Sequence, residues 1–183
     1  VIVTHGGLRK YVRWAAQDYR SDLGSGSALL TPLALDATVT ALFLPLLSGK
    51  RIELLPDDRQ LEILANESVF EDEFSLLKLT PAHIDILNQS GEIQRFRNIS
   101  RCLVVGGEAL SQPTIALWIR DLPNIRIVNE YGPTETVVGC TIHEVTVRDL
   151  DSLSMPIGRP IWNTRVYVLD DGLEPVAVGV VGE

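Results

Sequence analysis

The stretch Asn124–Gly139, NIRIVNEYGPTETVVG, starts as an apolar strand and ends in a turn crowded with chemistry. Its last eleven residues hold two carboxylates, an aromatic ring, a Gly-Pro turn and two threonines. In an open parallel sheet, ligands bind beyond the carboxyl ends of the strands. A strand that runs directly into such a loop therefore predicts both an α/β fold and a place to look for its site.

The sequence on either side supports that fold. Apolar spacing at Leu8, Tyr11, Val12, Ala15 and Tyr19 predicts a helix over residues 8–20. Strand signals over 27–32, 51–56, 74–81, 101–107 and 124–132 alternate with helical patterns over 36–49, 58–67, 82–91 and 111–122. Ser111 is placed to cap the last of these helices, and Gly49 and Gly91 close two others. The alternation predicts a mainly parallel sheet covered by helices on both faces. After about residue 145 helical periodicity fades into short β-rich runs such as TRVYVLD. We therefore expect residues 1–145 to form an α/β unit and 146–183 to begin a separate β-rich, barrel-like subdomain.

Composition narrows the function. The 183 residues are 45% hydrophobic and 22% charged, ordinary for a globular chain, with a net charge of −8. That charge argues against nucleic acid as a partner. No apolar run reaches membrane-spanning length, so no membrane partner is expected. Cys102 and Cys140 lie in apolar segments and read as core residues of a reducing, cytoplasmic compartment. The chain starts and stops in mid-element character, VIVTHGG and VGVVGE, and reads as a piece of a longer protein.

Several polar residues fall where ligands are expected. Gly106 and Gly107 either make a plain strand-to-helix turn or let a ligand approach the backbone. Tyr131 offers a flat face to a base, and Asn129 an amide to a purine edge. Thr134 offers a hydroxyl to phosphate, and Glu135 a hard oxygen to Mg²⁺. The competing reading of this loop is a capped turn. Asp36 either caps the helix after it or pairs with a substrate ammonium. Lys78, in LLKLTP, either reaches solvent or points into a pocket, where it needs an acidic partner such as Glu130. His5, His83 and His143 have no ligand spacing.

Taken in order, NEYGPTE, VIVTHGGL, LALDATVTALFLPLLSG, LKLTPAH, LVVGGEAL and the 155–183 segment resemble the motifs of amino-acid adenylation domains of nonribosomal peptide synthetases. That resemblance implies a flavodoxin-like subdomain of an adenylation-domain core. It implies an enzyme that uses ATP and Mg²⁺ to form an aminoacyl adenylate. The acyl group then passes to the phosphopantetheine thiol of a peptidyl carrier protein, alongside the remaining synthetase domains.

By resemblance, Asp36 holds the substrate α-ammonium with help from the Gly132 backbone. Tyr131 and Gly107-Glu108-Ala109 sandwich adenine, Asn129 meets its edge, Thr134 touches phosphate and Glu135 binds Mg²⁺. The side-chain pocket maps to Ala37, Thr40, Lys78, Val104, Gly106, Glu130, Val138 and Gly139. A cation and an anion among small residues suit asparagine, or glutamine if the pocket is longer. Aspartate would face the Glu130 carboxylate. The set also resembles the pocket signature of asparagine-activating domains.

Leu35 and Thr38 depart mildly from the usual Phe and Ser of this family. By resemblance the phosphate loop belongs before Val1, and the ribose-binding Asp, hinge and catalytic Lys after Glu183. No catalytic residue is therefore expected in this stretch, and the isolated chain is expected to be inactive. Two other readings remain: an acyl- or aryl-CoA ligase, whose substrate lacks the ammonium that Asp36 would hold, and a non-catalytic binding subdomain.

Overall fold

The computed structural model describes residues 1–66, 70–89, 91 and 93–183. The strands are β1 (Gly26–Leu29), β2 (Arg51–Leu54), β3 (Leu77–Leu79), β4 (Cys102–Gly106), β5 (Arg126–Tyr131), β6 (Thr141–Glu144) and β7 (Arg159–Pro160). The helices are α1 (His5–Asp18), α2 (Thr38–Ser48), α3 (Gln60–Leu64), α4 (Pro81–Gln89) and α5 (Gln112–Asp121). β1 pairs with β2, and β3-β4-β5-β6-β7 form a second sheet. The two meet where the Ser75 and Leu76 N–H groups donate to the Gly26 carbonyl. The β1–β2, β3–β4 and β4–β5 pairs are parallel, and β6 and β7 add antiparallel strands at one edge.

Alternation along the strands divides the core in two. Leu77, Leu79, Leu103, Val105 and Ile127 face α4 and α5 and pack with Ile84, Ile115 and Trp118. Leu76, Cys102, Val104 and Val128 face the opposite way, onto Tyr11, Trp14, Tyr19 and Leu44 of the α1–α2 layer. The expected sheet with helices on both faces is present.

Local signals set most boundaries. Ser111 accepts the Thr114 N–H and starts α5, as expected. Gly49 closes α2 at φ 64°. α1 begins earlier than its apolar spacing suggests, because Thr4 Oγ1 accepts the Gly7 N–H at 3.0 Å and caps a turn through Gly6-Gly7. The strands are shorter than the apolar runs that predict them, and Pro32, Pro56 and Pro81 lie just past the ends of β1, β2 and β3. The helix expected over 58–67 is α3, and residue 67 lies outside the described residues. The helix expected over 82–91 is α4, with residue 90 likewise outside them. Strand β6 was not among the expected elements.

Residues on both sides of position 145 share the larger sheet. β7 pairs with β6, and Met155 and Ile161 are buried in the two core layers. Farther on, Leu169 and Glu183 exchange backbone hydrogen bonds in a short hairpin-like pairing. Among the described residues no helix is long and apolar enough to cross a membrane.

Trp118 anchors the α5 face. It is fully buried, stacks on Phe96 with ring centroids 5.0 Å apart, and donates its indole N–H to Asn88 Oδ1 at 2.8 Å. Trp118→Ala is expected to lower unfolding free energy by about 3–5 kcal/mol, read from urea midpoints. A loss under about 1 kcal/mol would contradict this packing.

Candidate functional site

The period-two alternation of β5 sorts its loop-proximal residues into two groups. Val128 and Glu130 face the α1–α2 layer, whereas Ile127, Asn129 and Tyr131 lie on the other side. Two different sites therefore grow from neighbouring residues of one strand.

On the α1–α2 side sits a buried ionic cluster. Lys78 and Glu130 are each 4% exposed and form an ion pair through Glu130 Oε2. The other oxygen, Oε1, accepts the phenol protons of Tyr11 at 2.8 Å and Tyr19 at 2.7 Å. Tyr11 has only one proton to give, so in its 2.6 Å contact with Thr40 the threonine hydroxyl is the donor. Burying an ion pair has a large desolvation cost, which these extra donors offset. Burial, followed by the Glu130 charge, pushes both phenols well above the usual tyrosine range.

Small residues make room for this cluster. A side chain at Gly139 would meet Glu130 Oε1 at 2.6 Å, and one at Gly106 would crowd Lys78 Nζ at 3.1 Å. Val104, the register partner of Lys78, supplies the apolar floor, and Val138 is buried against the same layer. Val137 and Val138 both hold φ of 67°. Left-handed backbone at two consecutive β-branched residues is strained, and such strain concentrates at functional sites. Gly132 is equally constrained: a Cβ there would lie 2.8 Å from Cys140 N.

Asp36 lies just ahead of α2, and it does not cap that helix. Ala37 occupies the cap position with helical dihedrals and no side-chain bond. Asp36 Oδ2 is buried and has no hydrogen-bond partner. The helix that follows it carries Thr40, the hydrogen-bond partner of Tyr11 in the Glu130 cluster. A buried carboxylate oxygen without a donor is costly unless a cation meets it.

The second site is a groove of about 380 Å³ past the ends of β4 and β5. Gly107, Glu108 and Ala109 form one wall, and Tyr131, 48% exposed, forms another. Gly107 takes φ 94°, which suits a residue without a side chain. Asn129 also lines the groove, but its amide N–H donates to the Pro156 carbonyl at 2.8 Å. That leaves the Asn129 carbonyl oxygen and its second amide N–H for a ligand edge. Thr134 and Glu135 lie exposed in the 3-10 turn Thr134–Thr136. Among the described residues no group of three or more His, Cys, Asp or Glu side chains could hold a metal. A lone Glu135 fits the way Mg²⁺ is commonly bound, by one or two carboxylates together with substrate phosphates.

The structure thus brings Thr40, Lys78, Val104, Gly106, Glu130, Val138 and Gly139 together, and Asp36 lies four residues ahead of Thr40, before α2. Gly107–Ala109, Asn129 and Tyr131 share the second site. Sequence reading missed Tyr11 and Tyr19 as site residues. Their helical spacing signals only a buried face, and nothing in it says that a carboxylate lies opposite. Met155 and Ile157, which line the groove, were also missed because they come from the segment read as a separate unit.

Residues 1–183 match the family model described as AMP-binding enzyme. The chain is 36% identical over 189 aligned residues to tyrocidine synthase 3 of Brevibacillus parabrevis, covering 100% of this chain and 3% of that protein. It is 35% identical over 184 residues to bacitracin synthase 3 of Bacillus licheniformis, covering 100% of this chain and 3% of that protein. Among solved structures it is similar to the nonribosomal peptide synthetase FmoA3 in its AMPPNP-bound form, with TM-score 0.84 and 27% identity, over 96% of this chain and 19% of that one. The chain therefore spans a small fraction of the relatives it matches.

The four tyrosines divide by environment: Tyr11 and Tyr19 are buried on Glu130, while Tyr131 and Tyr167 are exposed. Because the two buried phenols have raised folded pKa values, their contribution to stability is intact below the unfolded phenol range and is lost as pH rises above it. In an alkaline titration followed by phenolate absorbance, two phenols should ionise only together with unfolding. Reversible ionisation of all four in the folded chain would contradict the cluster.

Proposed function

This chain belongs to the AMP-binding enzyme family, and we propose that it supplies the amino-acid pocket and adenine platform of a nonribosomal-peptide adenylation domain, with asparagine as substrate. The observation that carries this reading is the buried, unpartnered Asp36 oxygen, taken with the buried Lys78–Glu130 pair. The first suits the ammonium of an amino acid. The second suits a side chain that both accepts and donates hydrogen bonds.

In the proposed reaction the substrate carboxylate attacks the α-phosphorus of ATP. A new acyl P–O bond forms, the bond to pyrophosphate breaks, and an aminoacyl adenylate results. The thiol of a carrier-protein phosphopantetheine then takes the acyl group and AMP leaves. Asp36 and the Gly132 backbone hold the ammonium. Adenine lies between Tyr131 and Gly107-Glu108-Ala109, with the Asn129 carbonyl accepting from its amino group. Thr134 would contact phosphate, and Glu135 would be the carboxylate that holds Mg²⁺, which would offset the phosphate charge. Ala37, Thr40, Val104, Gly106, Val138 and Gly139 shape the side-chain pocket around Lys78 and Glu130. An acyl- or aryl-CoA ligase reading gives the Asp36 oxygen no cation to meet.

ATP–pyrophosphate exchange by an adenylation domain containing this chain, run with a panel of amino acids, should peak at asparagine. Asp36→Ala should lower that exchange by roughly 100-fold, the scale of a hydrogen-bonded charge contact. Glu130→Gln should relax discrimination against aspartate. Preference for a carboxylic acid without an amino group, or indifference to the Asp36 change, would contradict the reading.

A further inference from the structure

We propose that Tyr11 and Tyr19 are positioning residues that fix Glu130 as a permanent hydrogen-bond acceptor, and that this sets discrimination between a side-chain carboxamide and a side-chain carboxylate. The inference rests on the pocket reading above and extends it to two residues at the start of the chain, Tyr11 on α1 and Tyr19 at its end.

The case is an inventory of donors and acceptors. An ionised carboxylate has about four lone-pair positions. Two on Oε1 are taken by the phenols of Tyr11 and Tyr19, and one on Oε2 by Lys78. One acceptor position remains, on Oε2. Lys78 has three N–H groups, and one is given to Glu130. Two donors therefore remain beside the one acceptor. A carboxamide, with one carbonyl oxygen and one amino group, matches that set. A carboxylate brings only acceptors and would set an oxygen against Oε2.

The match holds only while Glu130 is charged and correctly turned. A protonated Glu130 could donate from Oε2 and accommodate an acid. Hydrogen bonds to the charged form of a carboxyl favour that form. Both phenols land on the same oxygen, so they also keep Oε2 turned toward Lys78. Thr40 donates to Tyr11 and so commits the Tyr11 proton to Glu130. The titratable groups bonded to Glu130 are Tyr11, Tyr19 and Lys78 on β3, and Cys102 on β4 lies on the same core face. Val137, Val138 and Gly139 on the remaining side carry none.

Tyr11→Phe, Tyr19→Phe and the double variant remove the donors and keep the rings. In an adenylation domain containing this chain, kcat and KM for asparagine and for aspartate are measured separately by pyrophosphate exchange. In the double variant the asparagine-to-aspartate ratio should fall at least roughly ten-fold, the scale of one hydrogen bond to a charged group. The change should lie in KM, rising for asparagine and falling for aspartate, because Oε2 is no longer held toward Lys78. An unchanged ratio of kcat/KM, or an equal loss of kcat for both substrates, would overturn the proposal, since a merely structural role gives one of these.

A second readout needs no substrate. The Glu130 carboxyl resonance, carbon-13 labelled and assigned by its loss in Glu130→Gln, should change its chemical shift in either single variant and further in the double one, as its donors are removed. A resonance at the same position in all of them would overturn the proposal. If it moves while the unsubstituted domain prefers an amino acid other than asparagine, the substrate reading fails and the positioning role stands.

Discussion

A carboxylate buried at the end of a central strand must be surrounded by donors, and Glu130 is surrounded by three. Two come from the first helix and its C-terminal end, and one from a strand two positions across the sheet. With Thr40 on α2 bonded to Tyr11, the cluster joins α1, α2, β3 and β5 through a handful of atoms. Removing one partner from such a cluster leaves a buried charge uncompensated, which typically costs about 3–5 kcal/mol. The same groups that would read a substrate therefore also hold the α1–α2 layer on the sheet.

Much of the local chain geometry follows from that cluster. Gly139 has no room for a side chain because the Glu130 carboxylate fills the space, whereas at Gly106 a Cβ would meet the Glu130 backbone carbonyl at 2.5 Å. Val137 and Val138 accept left-handed backbone, and their strained turn brings Gly139 under the Glu130 carboxylate. On the other face of β5 the constraints are looser. Tyr131 is half exposed, and the groove beside it is closed by residues from the 154–157 segment. A single strand, VNEY, thus divides its work by alternation, with Val128 and Glu130 toward one site and Asn129 and Tyr131 toward the other.

The fold was largely legible because its signals are local. Strand-helix alternation, the Ser111 cap and the Gly49 stop can each be read from a few neighbouring residues. β6 was not legible: TIHE is short, and it is a strand only because β5 lies beside it. Lys78 and Glu130 stood out in the sequence as charges in apolar strands, and their pairing could be anticipated. Tyr11 and Tyr19 could not, since their partner lies more than a hundred residues away. For Asp36 the sequence offers a helix cap as one reading, and that reading fails because Ala37 holds the cap position. The engagement of Asn129 with Pro156 was hidden for the same reason as the tyrosines: it depends on tertiary closure alone.

The most direct test of the account is a crystal structure of an adenylation domain containing this chain, bound to a non-hydrolysable asparaginyl adenylate. The account predicts the side-chain carbonyl oxygen within hydrogen-bond distance, ~3 Å, of Lys78 Nζ. The side-chain amino group should meet Glu130 Oε2, with both phenols still on Oε1 and the ammonium on Asp36. A Glu130 turned away from Tyr11 and Tyr19, or a side chain that touches neither Lys78 nor Glu130, would contradict it.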